Sequence, residues 1–146
     1  MNTNKKSFTL IEVLIFVSIL SIFLVTASGV TIASLNNLKI QEHKILAVRY
    51  AEELLEWLRG EKEADWSRFT TYRGTYCFNS SPITSWPTTA GNCLVNSFLN
   101  NLYKREVNLT PQGNPTYQVN VSIIVSWQEL GHTYQVPINS IFTIWE

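Results

Sequence analysis

Residues 8–35 read FTLIEVLIFVSILSIFLVTASGVTIASL, and the only charged side chain in that run is Glu12. About twenty apolar residues in helical form cross a bilayer, so the stretch is long enough to span one. The carboxylate is the anomaly. On insertion scales an acidic group at the centre of a membrane helix costs about 2.5–3.5 kcal/mol, and such groups mark functional positions. The preceding head, MNTNKKS, is polar and carries Lys5 and Lys6. Three readings compete. A secretory signal peptide needs a basic start, a short apolar core and a small-residue cleavage site, for which Val25-Thr26-Ala27 would serve. A plain membrane anchor explains the length and leaves Glu12 without a purpose. The third reading is built on Glu12 itself.

The segment Lys5-Lys6-Ser7-Phe8-Thr9-Leu10-Ile11-Glu12-Val13-Leu14 resembles the leader and cleavage site of type IV pilins and the related pseudopilins, and the chain looks most like a small minor pilin. The resemblance implies that residues 1–7 are a leader cut between Ser7 and Phe8 by a prepilin peptidase, that Phe8 is then N-methylated, and that Glu12 is the acidic residue used in assembly. Ser7 stands where the family normally has glycine. The implied architecture is α+β: one long N-terminal helix, membrane-spanning in its first half and amphipathic in its second, packed on a C-terminal antiparallel β-meander. The implied partners are other pilin subunits in a helical filament, the inner-membrane assembly machinery, the prepilin peptidase, and the membrane itself before assembly. No cofactor is implied.

Composition bounds what the remainder can be. The 146 residues leave room for one modest globular domain beside the apolar run. Formal net charge is zero, and loss of Lys5 and Lys6 would take it to about −2, which provides no electrostatic basis for nucleic-acid binding. The two cysteines, Cys77 and Cys93, fit a single disulfide in an exported domain, with two unrelated buried thiols as the alternative. With His43 and His132 far away in sequence, they match no metal-ligand spacing. Lys5 and Lys6 favour a cytoplasmic N-terminus, although Lys39 and Lys44 follow the span closely.

In chain order, the division is 1–7 leader, 8–35 transmembrane and assembly half of the helix, 36–60 amphipathic half, 61–102 irregular region, and 103–146 sheet. Ile45, Val48, Ala51, Leu55 and Leu58 recur at spacings of three and four, which predicts a buried helical stripe. Arg49 and Glu53 form an i,i+4 pair on the polar side, and Gly60 is the expected helix stop. Gly29, among Ser28, Val30 and Thr31, is a point of low helix propensity. Trp66, Phe69 and Tyr72 should dock on the domain, Tyr76 to Phe78 should form a short strand, and Leu94 to Leu102 a short helix. Tyr117, Val119, Val121, Ile123, Val125 and Trp127 alternate with polar residues, the period of a half-buried strand. Arg105, Val107 and Leu109 begin the strand before it, with a turn at Pro111–Pro115. After a second turn at Gln128–His132 come Tyr134, Val136, Ile138, Phe142 and Ile144 on one face. Pro137 lacks an amide donor, so the last strand belongs at an edge or carries a bulge.

No catalytic constellation appears. The sequence has no phosphate-cradling glycine loop, no metalloprotease helix and no nucleophile elbow, and both histidines read as surface residues. The expected function is therefore structural, a filament subunit rather than an enzyme. The alternatives are a minor pseudopilin of a type II secretion system and a low-copy minor pilin that binds a partner in adhesion or DNA uptake. The expected location is the bacterial inner membrane before assembly and an extracellular or periplasmic filament after it.

Overall fold

The computed structural model describes residues 9–145. Residues 1–8, and with them the expected cleavage position at Ser7 and Phe8, lie outside the described residues. The chain forms two compact units that divide between Gln41 and Glu42. In the first, helix α1 (Leu10–Ala64) starts at Leu10, and its N-terminal 18-residue apolar window is not buried anywhere in the chain. Leu10, Phe16, Ile22, Phe23, Val25 and Val30 are all more than 60% exposed. Such a surface is stable only against lipid or other apolar helices.

The second unit pairs the rest of α1 with a four-stranded antiparallel sheet of order β1-β2-β3-β4. Its strands are β1 (Gly74–Cys77), β2 (Lys104–Gly113), β3 (Thr116–Glu129) and β4 (His132–Thr143). A four-residue helix, α2 (Trp66–Phe69), leads into β1, with Asp65 as its N-cap accepting a hydrogen bond from the Arg68 amide. Alternation along β3 places Val119, Val121, Ile123, Val125 and Trp127 inward. From the neighbouring strands they are joined by Val107, Leu109, Val136 and Phe142. Ala47, Ala51, Leu54 and Leu58 of α1 complete one core. This is the long-helix-on-meander, pilin-like α+β arrangement that the resemblance implies.

Several boundaries differ from expectation for identifiable reasons. Of the expected stripe, Ala51 and Leu58 are fully buried and Val48 and Leu55 pack half-buried against the core; Ala47 and Leu54 join them, while Ile45 is 57% exposed. Ala47, a small residue with little hydrophobic signal, is the one that a search for large apolar residues overlooks. Gly60 does not stop the helix, which continues to Ala64. A glycine costs about 1 kcal/mol there, but Glu61 accepts a 2.7 Å hydrogen bond from the Trp86 indole, and Lys62 lies over the Phe142 ring. The region 61–102 is not wholly irregular, because β1 joins the sheet with Tyr76 opposite Val107, and the strand begins two residues earlier than expected. No helix forms over Leu94–Leu102, where Leu99 instead bridges Tyr103. Both turns are tighter than predicted: β2 runs through Pro111 to Gly113, and β3 and β4 are joined by Leu130 and Gly131 alone, both at positive φ. Pro137 does lie on an edge strand, β4.

Gly113 is held at φ 94, where a Cβ would collide with the Tyr117 ring and the Pro115 carbonyl. Gly131 has a similar φ of 79 but open space around it. Gly113→Ala should therefore destabilise the head by about 2–3 kcal/mol and Gly131→Ala by only about 1 kcal/mol. Thermal unfolding of the two variants, followed by circular dichroism, checks the difference; equal shifts would mean that the ring contact is unimportant.

Candidate functional site

Two groups of residues carry chemistry, and they lie in different units. The first is the apolar part of α1. Its hydroxyls are turned onto the helix itself. Ser18 donates to the Ile15 carbonyl, Ser21 to Val17, Ser28 to Leu24 and Thr31 to Ala27, at 2.8–3.0 Å. Thr26 donates to Phe23 at 2.8 Å. Bonds of this kind let hydroxyl groups sit in an apolar medium without an external partner. A Cβ at Gly29 would meet nothing, and the helix passes through it unbroken. Glu12 lies in the first turn, where its amide donates to the Thr9 carbonyl at 3.1 Å. The helix N-terminus favours a negative charge there by about 0.3–1 kcal/mol. After Glu12 the next charged residue in the sequence is Lys39.

The second group lies between α1 and the sheet in the head. Arg105 is fully buried, and its guanidinium is held by four hydrogen bonds. Nε donates to the Phe78 carbonyl (3.2 Å), Nη1 to the Tyr50 carbonyl (2.9 Å) and to Glu53 Oε2 (2.8 Å), and Nη2 to the Ser80 carbonyl (2.6 Å). One side chain thus ties α1, the chain after β1, and β2. Burial lowers the Arg105 pKa, and the hydrogen bond and charge of Glu53 oppose that. Glu53, expected to pair with Arg49, instead serves Arg105 and also accepts from the Ser81 hydroxyl. The buried cation needs the carboxylate more than an exposed one does.

His43 is the second departure from expectation. It is not a free surface residue: Nδ1 lies 2.7 Å from the Tyr103 hydroxyl and Nε2 lies 3.2 Å from Glu129 Oε2. With the phenol donating to Nδ1 and Nε2–H donating to the carboxylate, each group is satisfied. Burial, followed by Tyr50, Glu42 and Glu129, raises the Tyr103 pKa above the ordinary phenol value. The folded state therefore retains this proton when the unfolded chain loses it, so the contribution is intact below about pH 10 and is lost as pH rises further.

Around the disulfide, the fold depends on a residue that the sequence pattern gave no reason to single out. Trp86 stacks on Tyr72 with ring centroids 3.7 Å apart and contacts Trp57, Phe69, Tyr76 and Phe78. Cys77 and Cys93 are joined, with Cα atoms 4.9 Å apart. The Gly91 amide donates to the Thr75 carbonyl, so the closed loop also covers the outer edge of β1. Among the described residues no group of His, Cys, Asp and Glu is arranged to hold a metal ion.

Compared with known families, residues 2–28 match the prokaryotic N-terminal methylation motif. The chain therefore carries the type IV pilin and pseudopilin signal, and the match includes Ser7, Phe8 and Glu12. No curated protein and no solved structure matches the chain.

Arg105→Ala would strand Glu53 and three carbonyls in the head and should cost about 3–5 kcal/mol. Glu53 is 31% exposed, so Glu53→Gln, which keeps an acceptor, should cost no more than about 1–2 kcal/mol. Near-UV circular dichroism of the aromatic cluster during thermal unfolding would rank the two. A larger loss for Glu53→Gln would contradict the assignment of Arg105 as the tie.

Proposed function

We propose that this chain is a structural subunit of a type IV pilus-like filament. It is inserted in the bacterial inner membrane as a single-pass precursor with its N-terminus in the cytoplasm. A prepilin peptidase removes residues 1–7 between Ser7 and Phe8, Phe8 is N-methylated, and the assembly machinery draws residues 8–35 into a helical bundle with other pilin subunits. Residues 42–64 of the helix belong to the head, and the chain after them completes it. The family match at the N-terminus supports the processing steps. The observation that carries assembly is the lone carboxylate of Glu12 on an otherwise apolar helix segment that none of the described residues covers.

The chemistry follows from charge. Cleavage creates an α-amino group at Phe8, four positions before Glu12. A cation and a carboxylate that both lie in apolar surroundings are each costly alone and much cheaper as a pair. In a staggered bundle, Glu12 of one subunit neutralises the new terminus of its neighbour. A bundle of apolar helices has many near-equivalent registers; one buried charge pair selects among them, as buried polar residues do in coiled coils. A major subunit would dominate the mass of sheared filaments and a minor one would be a trace component, so the sheared-filament fraction separates the two roles.

Intact mass of the protein recovered from membranes should show loss of residues 1–7 and gain of one methyl group. Loss through Ala27 would instead make the chain a secreted protein, and an unprocessed chain would make it a plain anchor. Glu12→Val should leave membrane insertion intact or improved, because a costly group has gone, while incorporation into filaments falls at least tenfold. Normal incorporation of Glu12→Val subunits would sink the pairing mechanism.

A further inference from the structure

The hairpin that joins β3 to β4 is built against local preference. A two-residue turn with positive φ at both positions calls for Asn, Asp or Gly at each. Gly131 fits, with φ 79, but the first position is Leu130, at φ 50. Positive φ is uncommon for any residue with a Cβ and is found mostly at Asn, Asp and His. Leu130 gains nothing from its own fold in return, since its side chain is 69% exposed. A backbone cost and an apolar side chain in water thus fall on the same residue, and Asn in its place would relieve both. Such an outlier is grounds for a functional reading.

A partly apolar cleft opens beside this turn. Its volume is about 370 Å³, and Val95, Phe98, Leu102, Lys104, Gln128 and Thr133 are among the residues that line it. Val95 and Phe98 are exposed, as is Leu94 next to them in sequence. Lys104 Nζ lies 5.5 Å from the centre of the Phe98 ring, so a cation stands at the apolar wall. Gln128 and Thr133 pair one rung inside Glu129 and His132, the last pair before the turn, so Leu130 and the cleft share one end of the sheet.

Chain connectivity says what that end meets. Residues 10–35 make about 39 Å of helix at 1.5 Å per residue, close to the roughly 40–45 Å of a bilayer with its headgroups. A span made of them leaves Leu35 at the headgroups. From Leu35 to His43 is eight residues along α1, about 12 Å as helix and no more than about 28 Å however the chain is drawn out. His43 Nε2 lies 3.2 Å from Glu129 Oε2, and Leu130 follows Glu129. One side-chain contact and a short piece of chain therefore tether the turn to the membrane surface, whatever the orientation of the head. Tyr117, Ile144 and Trp145 are also exposed, but they flank the Gln118–Thr143 pair at the other end of the sheet, about 35 Å away along β3. We propose that the β3–β4 turn and the cleft beside it form a foot that rests on the phospholipid surface. Leu130, Val95 and Phe98 enter the boundary between headgroups and acyl chains, and Lys104 pairs with a lipid phosphate. Apolar side chains and long cations divide in this way at membrane interfaces. The inference rests on the reading of residues 8–35 as a membrane span, and it adds a second contact with the same membrane, held until the head is drawn away into a filament.

The test uses the full chain in vesicles of phosphatidylethanolamine and phosphatidylglycerol that carry doxyl-labelled acyl chains. A fluorophore is attached at His132→Cys beside the turn or, as the control, at Gln112→Cys at the far end of the sheet. Cys77 and Cys93 are joined to each other, so the introduced thiol is the one that reacts. Interfacial segments bury their apolar face about 5–10 Å into the headgroup–acyl boundary, so the nitroxide should quench the His132→Cys label about twofold or more. The Gln112→Cys label should stay bright. Leu130→Asn and Lys104→Gln should each cut that quenching at least about twofold. Leu130→Asn should do so with the melting temperature of the head unchanged or raised, because Asn accepts positive φ more readily. A melting temperature lowered by Leu130→Asn would make the turn structural only and overturn the proposal. So would equal quenching at both labels, no quenching at His132→Cys, or quenching indifferent to both substitutions. Shielding of the label that grows with protein density, without any effect of the nitroxide, would give this end to a second copy instead. Alkaline extraction reads the span separately. A chain that is extracted overturns both readings, whereas one that stays in the vesicles with an unquenched turn overturns this one alone.

Discussion

An antiparallel sheet with one apolar face is stable only when that face is covered, and in this head the cover is residues 42–64 of α1. Everything else in the head follows from that requirement. Val107, Leu109, Val119, Val121, Ile123 and Val125 present an aliphatic surface, and Ala47 and Ala51 are buried with it in one core. Leu54 and Leu58 are fully buried in the same core. Burying a leucine fully is worth about 1.5–3 kcal/mol relative to exposure, so the four helix residues and their counterparts supply a substantial apolar contribution. That contribution is not directional, however. Aliphatic packing alone would tolerate the helix shifted or turned over the sheet.

The polar groups at the boundary supply the direction. Arg105 bonds to the backbone of α1 at Tyr50 and to its side chain at Glu53, and it reaches the chain beyond β1 through Phe78 and Ser80. The bonds to Tyr50 and Glu53 tie the helix to β2, and those to Phe78 and Ser80 tie in the chain beyond β1. Ten residues toward the N-terminus of α1 from Glu53, His43 makes a second fixed point with Tyr103 and Glu129. Buried ionic groups rarely add net stability over a well-packed apolar alternative, but they penalise every arrangement in which they are left unpaired. In this head, aliphatic area provides the energy and Arg105 and His43 provide the uniqueness.

The legibility of these features in the sequence tracks their physical origin. The β3 alternation was plain because one face is wet and the other dry, which forces a period of two. The same parity put Arg105 on the inward face with Val107 and Leu109, but no local pattern could name Glu53 as its partner, 52 positions away. In the helix, Ala51 and Leu58 are legible from the spacing of three and four, whereas Ala47 carries too little hydrophobic signal to be read from sequence. Trp86 lies in a stretch with no repeat of any period, so its place at the centre of the aromatic cluster came only from tertiary structure. The disulfide was accessible from cysteine count and context, since pairing two cysteines needs no periodicity. Glu12 stood out for the opposite reason: it violates its local pattern, and such violations are where functional residues are expected.

Glu12 is costly in a way that the hydroxyls of the same helix are not. Ser18, Ser21, Thr26, Ser28 and Thr31 show how this helix accommodates polar groups in apolar surroundings, each hydroxyl being bonded to a carbonyl of its own helix. A carboxylate has no donor proton to spend in that way when ionised. Its position in the first turn gains about 0.3–1 kcal/mol from the helix N-terminus, which falls short of the roughly 2.5–3.5 kcal/mol that an acidic group costs at the centre of a membrane helix. Near the edge of a bilayer, lipid headgroups and water make up the shortfall. In a bundle of apolar helices neither is at hand, and the deficit turns into a preference for a cation at one fixed height. Under the proposed processing the chain itself supplies that cation at Phe8, but only after the leader has been removed. A precursor still carrying residues 1–7 would have no α-amino group at the required position. On this account cleavage and assembly are coupled through a single charge, without a separate signal.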